Sequence, residues 1–108
     1  GGAISPGVEM RLNSLNNYTA FLPLIKSREP KSFIGTSTKE AILSGVIHGT
    51  RKEIDGTIDF YKLRYPNIKT ILTGGDKSLF DKKLKNSIFA DEDVIFKGMY
   101  FILDSICK

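Results

Sequence analysis

The sequence predicts an α/β fold, and three patterns carry that prediction. Helical and strand periodicities alternate along the 108 residues. One helical stripe is long: Leu43, Ile47, Thr50, Ile54, Ile58, Tyr61 and Tyr65 are spaced by threes and fours until Pro66 stops it. Apolar and β-branched residues around Ile71-Leu72 then close on two glycines, as a buried strand does when it turns into a helix.

Taken in order, Ser5-Pro6-Gly7 opens the first helix, because proline suits the first helical positions and serine caps them. Ala3-Ile4 ahead of it has the character of a strand end, so a strand is expected to precede this turn. Val8, Leu12 and Leu15, with Tyr18 and Thr19 beyond, mark one face of a helix of about three turns that ends near Leu22-Pro23. The stretch "FLPLIKSREPK" holds two prolines and no clean period, which predicts an extended crossing segment packed by Leu22, Leu24 and Ile25. A short strand, "SFIG", follows. Ser37 and Glu40 have capping-box spacing at the start of the long helix. After "IKTILTGG" come a short helix through Leu79, Phe80 and Leu84, a strand "SIFA", the acidic cap "DED", and a last helix marked by Ile95, Met99, Ile102 and Ile106.

Composition narrows the function classes. Hydrophobic residues make up 41% and charged residues 26%, an ordinary globular balance for one domain or part of one. No apolar run approaches the ~20 residues of a membrane helix, and the start lacks a signal-peptide pattern, so a cytoplasmic location is expected. A single Cys107 and a single His48 leave no Cys/His set for structural zinc. The net charge of +4 comes with Lys77, Lys82, Lys83 and Lys85 interleaved with Asp76 and Asp81, a mixed face that does not call for nucleic acid.

Four places have the residue types for chemistry, and each also has a plain structural use. In "ILTGGDKS", Gly74 and Gly75 either make a tight turn or bare backbone N–H groups toward a phosphate. In "IGTSTKEAI", Thr36, Ser37 and Thr38 either cap the helix or grip a polar substrate. Ala41, Gly45 and Gly49 recur every fourth residue, which shortens the approach either of another element of this chain or of a helix from a second copy. The acids of "ADEDV" fit helix capping better than a cation site, and His48 has no catalytic companions, so it is expected at a surface or interface. No general base stands out.

As an ordered set, "GGAISPGVEMRLNSL…YTAFLP", "IGTSTKEAILSGV" and "ILTGGD" resemble the later half of type III pantothenate kinases over nearly the whole chain. That resemblance implies a ribonuclease H-like (actin-like ATPase) domain fragment, with a mixed β-sheet packed by helices including the long one. Residues 1–108 would then be part of the C-terminal domain of a two-domain kinase. It implies transfer of the γ-phosphate of ATP to pantothenate, the first step of coenzyme A biosynthesis, with Mg²⁺ and a monovalent cation, K⁺ or NH₄⁺. It places Thr38 at pantothenate near the interface of a homodimer, and Gly74 and Gly75 on the nucleotide side. The family's Asp-x-Gly-Asn-Thr loop, its Gly-x-Asp-Arg segment with the proton-accepting aspartate, and its Asp-x-Gly-Thr cation segment have no counterpart here. No catalytic residue and no metal ligand is therefore assigned, and the chain alone is expected to be inactive and either to self-associate or to be only marginally stable. The same family includes non-catalytic accessory proteins described as transcription regulators, which is the alternative function.

Overall fold

Val8 and Leu12, one helical turn apart, are driven out of water together and form α1 (Val8–Asn17). The structure is a computed structural model that describes residues 1–90 and 94–107. The chain divides into two compact units, Gly1–Thr57 and Ile58–Lys108.

In the first unit, α1 starts at Gly7, whose extended backbone caps the helix without a side chain. The expected serine cap is not made, because the Ser5 hydroxyl donates to Glu53 instead. The helix also ends earlier than Leu22-Pro23. The Thr19 hydroxyl donates to the Leu15 carbonyl, the Asn16 amide donates to Leu22 O at 2.9 Å, and these side chains take over the groups a further turn would use. Of the crossing segment, Ile25 is buried and Leu22 half-buried, whereas Leu24 is 60% exposed and packs less than expected.

No strand forms at 32–35. Its backbone groups are taken by side chains: the Ser44 hydroxyl donates to Phe33 O, and Ile34 N–H donates to the Ser32 hydroxyl at 3.2 Å. Without a neighbouring strand to pair with, the segment stays irregular.

The long helix runs through residues 38–64 as α2 (Thr38–Leu43), a π turn (Ser44–His48) and α3 (Gly49–Arg64). Ser37 accepts from Glu40 N–H at 3.2 Å, which forms half of the expected capping box. The other half is absent because the Glu40 carboxylate is drawn to Arg28 and to Lys31 N–H. The predicted stripe is buried at Leu43, Ile47, Thr50 and Ile58 and comes to the surface at Tyr61 and Tyr65. α1 packs on the π turn, and Val8, Leu12, Leu43 and Ile47 are the largest side chains fully withdrawn from solvent. Each contributes about 1.5–3 kcal/mol of apolar burial.

The second unit holds the end of α3, β1 (Ile71–Leu72), a 3₁₀ turn (Lys77–Leu79), β2 (Phe89–Ala90) and α4 (Val94–Cys107). β1 and β2 pair in parallel, Ile71 opposite Phe89 and Leu72 opposite Ala90. The described residues therefore contain a two-stranded parallel sheet rather than a mixed one. The expected buried strand is two residues long, and Ile71 is 56% exposed, with β2 its one paired strand among the described residues. The expected helix through Leu84 is reduced to the 3₁₀ turn and the turns after it. Ile58 and Phe80 are buried here, and Asp59 accepts from Lys85 at 2.6 Å and from Asn86 at 3.1 Å, tying α3 to the loop before β2. α4 forms as expected from its stripe, yet Ile95, Met99, Ile102 and Ile106 are exposed, as are Phe96, Tyr100, Phe101 and Leu103. The acidic run 91–93 lies outside the described residues.

Two glycines make opposite predictions. A Cβ on Gly35 would stand 2.5 Å from Ala41 N and Cα, backbone atoms that cannot step aside, whereas one on Gly45 meets nothing within 4 Å. Gly35→Ala is expected to cost about 1–3 kcal/mol. Gly45→Ala is expected to gain about 0.5–1 kcal/mol from the lower entropy cost of forming the helix. Urea unfolding of the two variants measures both.

Candidate functional site

Where α1 and the first turns of the long helix diverge, they leave a cleft of about 640 Å³. Its apolar wall is made by Leu15, Leu22, Ile42 and Val46, and the small residues Ala41 and Gly45 widen it. Arg11, Ser14 and Thr38 bring the polar groups.

Thr38 is the first residue of α2 and is exposed on this cleft. Ser37 does the capping, and the Thr38 hydroxyl has no hydrogen-bond partner among the described residues. Sequence reasoning left capping and substrate contact open for Thr36, Ser37 and Thr38. The geometry assigns the cap to Ser37 and leaves Thr38 facing the cavity.

Arg11 went unrecognised in the sequence. Its Nε donates to Pro6 O at 2.8 Å, and its Nη2 donates to the Ser5 hydroxyl at 3.0 Å and to Glu53 Oε2 at 2.7 Å. The Ser5 hydroxyl donates in turn to Glu53 Oε1, which closes a ring of three side chains. Glu53 is held below its ordinary value of 4.5, first by the Ser5 hydroxyl and then by the Arg11 guanidinium. The signal was present: Arg11 sits three residues after Val8 and next to Leu12, so it is a charge on an apolar stripe. Arg51 repeats the pattern four residues after Ile47. It is buried to 6% exposure and pairs through both Nη atoms with the Glu29 carboxylate.

Glu40 is also depressed below 4.5, mainly by the Arg28 side chain and next by Lys31 N–H. These contacts hold the irregular 28–31 segment against the start of α2.

His48, expected at a surface or interface, is half-buried. Its ring stacks on Phe33, with centroids 4.7 Å apart and planes at 27°, and its Nε2 is buried without a hydrogen-bond partner among the described residues. It does not line the cleft.

Gly45 and Gly49 face open space, with nothing of this chain within 4 Å of an added Cβ. The close approach within the chain that their spacing allowed is not made among the described residues. In the second unit, Gly74 has φ of 112°, a conformation that favours glycine, and turns the chain out of β1. The helix expected after Gly74-Gly75 is a three-residue 3₁₀ turn, too short to present the dipole of an α-helix. Among the described residues no group of three or more His, Cys, Asp or Glu could hold a metal ion, and no helix is long and apolar enough to cross a membrane.

Residues 1–59, which include the Ser5-Pro6-Gly7 turn, Arg11, Glu53 and every residue of the cleft wall, match the family model described as type III pantothenate kinase. The chain belongs to the type III pantothenate kinase family. It is 46% identical to a type III pantothenate kinase of Christiangramia forsetii over 96% of this chain and 43% of that protein. It is 50% identical to that of Flavobacterium johnsoniae over 92% of this chain and 41% of the relative. A Cytophaga hutchinsonii member is 44% identical over 96% of this chain and 44% of its own length. The chain thus spans less than half the length of these curated relatives. Gly74 and Gly75 lie beyond the residues that the family model matches.

The ring around Glu53 makes a pH prediction for this family member. Its carboxylate and that of Glu40 are depressed in the folded state, so their contribution to stability is fully present above 4.5. That contribution is lost as pH falls through the lower folded values. Thermal midpoints are expected to drop on acidification below 4.5, and Glu53→Gln, which cannot titrate, is expected to flatten that drop.

Proposed function

We propose that this chain forms the substrate-side part of a pantothenate kinase, which transfers the γ-phosphate of ATP to pantothenate in the first step of coenzyme A biosynthesis. The observation that carries this reading is the coincidence of the family match with the cleft: the matched residues contain its entire wall, with Thr38 at its edge. The curated relatives bear the kinase name, which favours the enzyme over the accessory-protein alternative. The ribonuclease H-like fold, a cytoplasmic location and inactivity of the 108 residues alone belong to the same proposal.

In this mechanism the chain binds and orients rather than reacts. The Thr38 hydroxyl hydrogen-bonds the polar end of pantothenate, while Leu15, Leu22, Ile42 and Val46 take its branched hydrocarbon part and exclude water from it. Phosphoryl transfer depends on position and charge stabilisation, so an acceptor held by one wall of a site gains much of its rate from that alignment. The Gly74-Gly75 turn is assigned to the nucleotide side, where its bare backbone admits a phosphate closely. Mg²⁺ and a monovalent cation, K⁺ or NH₄⁺, would neutralise the phosphate charge. The described residues offer no ligand set for either ion, so no step is assigned to them here.

The open face of Ala41, Gly45 and Gly49 is proposed as the homodimer contact, since small residues let a second helix come close.

Two measurements on the full-length gene product test these assignments. Pantothenate-dependent ATP consumption is expected, and Thr38→Val, nearly isosteric but without the hydroxyl, is expected to raise the pantothenate KM about tenfold with little change for ATP. Absence of turnover would remove the kinase reading. Gly49→Leu, outside the cleft, is expected to convert dimer to monomer in sedimentation, and an unchanged dimer would place the interface elsewhere.

A further inference from the structure

We propose that Arg11 is the specificity-determining residue of the cleft, selecting a small branched-chain acid by pairing with its carboxylate; this rests on the pantothenate reading above.

Arg11 is the charged residue among those lining the cleft. An arginine has five N–H donors, and the protein uses three: Nε on Pro6 O, and Nη2 on Ser5 and Glu53. Nη1 keeps two donors with no protein partner among the described residues. The side chain is therefore held in place before any ligand arrives, so little rotamer entropy remains to be lost on binding. Its exposure is 21%, and the neighbouring cleft wall is hydrocarbon, so a carboxylate drawn to it is screened less than on an open surface.

Glu53 offsets part of the Arg11 charge, which sets a direction for the preference. Both Glu53 oxygens are engaged, Oε1 by Ser5 and Oε2 by Arg11, and the carboxylate is 43% exposed. Its charge is thus spread into solvent while the guanidinium is the more enclosed partner. The free Nη1 of a charged guanidinium favours a charged acceptor, one oxygen of a carboxylate, over a neutral hydroxyl. Arg28 and Arg51 are committed to Glu40 and Glu29 and do not line the cleft.

The test compares pantothenate with pantothenol, its neutral analogue in which a CH₂OH group replaces the carboxylate. Affinities are measured by calorimetry on the full-length protein, alongside kinase assays. The wild type is expected to bind pantothenate at least tenfold more tightly than pantothenol. Arg11→Met, similar in length and uncharged, is expected to bring that ratio close to one, and Arg11→Lys to keep part of it. Glu53→Gln, which removes the opposing charge, is expected to keep or increase the ratio. Because a ratio within one variant cancels loss of folded protein, partial misfolding does not mimic the result. A ratio unchanged in Arg11→Met, or equal binding of the two compounds by the wild type, overturns the assignment, as does failure of the wild type to bind either. Preferential binding of pantothenate without its phosphorylation would overturn the kinase reading and leave the Arg11 assignment standing.

Discussion

The packing of α1 on the π turn of the long helix is the constraint on which the first unit depends. It withdraws Val8, Leu12, Leu43 and Ile47, the largest fully buried side chains, from water. The same contact aims the flanks of both helices. Arg11 lies on the turn of α1 beside the buried pair, and Thr38, Ala41 and Gly45 lie on the outer face of the partner helix, so a cleft opens where the apolar seam ends. A site formed this way inherits the rigidity of its core, which a loop-borne site would lack.

Charge organises what apolar packing leaves irregular. Two arginines, Arg11 and Arg51, sit on apolar stripes and are enclosed when those stripes are buried, and each recruits a carboxylate far away in sequence. An enclosed guanidinium without a partner would be costly, so partner choice restricts the path of the chain. The 28–31 segment is held by Arg28 on Glu40, Lys31 N–H on Glu40, and Glu29 on Arg51. It needs no regular secondary structure to be well placed. The N-terminal turn is fixed in the same manner by Ser5, Arg11 and Glu53, and is thereby tied to the long helix.

The second unit is of another kind. Among the described residues its sheet has two strands of two residues, and α4 shows large apolar side chains around most of its circumference, the composition of a helix enclosed by a core. Polar ties from Asp59 to Lys85 and Asn86 hold the end of α3 to the loop before β2. The family model matches residues 1–59, which include the cleft, while the curated relatives align over nearly the whole chain.

Local periodicity by itself determined the helices: the spacing of Val8 and Leu12, the stripe from Leu43 to Ile58 and the run from Ile95 to Ile106 each became a helix, because a helix needs only neighbours along the chain to pair its backbone. The ordered motifs likewise determined the family. Strands were less legible, since "SFIG" and "IKTILTGG" have the residues of strands but a strand exists only where another chain segment pairs with it. Ser44 and Ser32 satisfied the first, and β2 reached two residues of the second. Only tertiary structure decided which carboxylate answers Arg11 and Ser5. Those choices are made across 42 to 48 residues of chain, a distance at which side chains meet through folding and not through sequence.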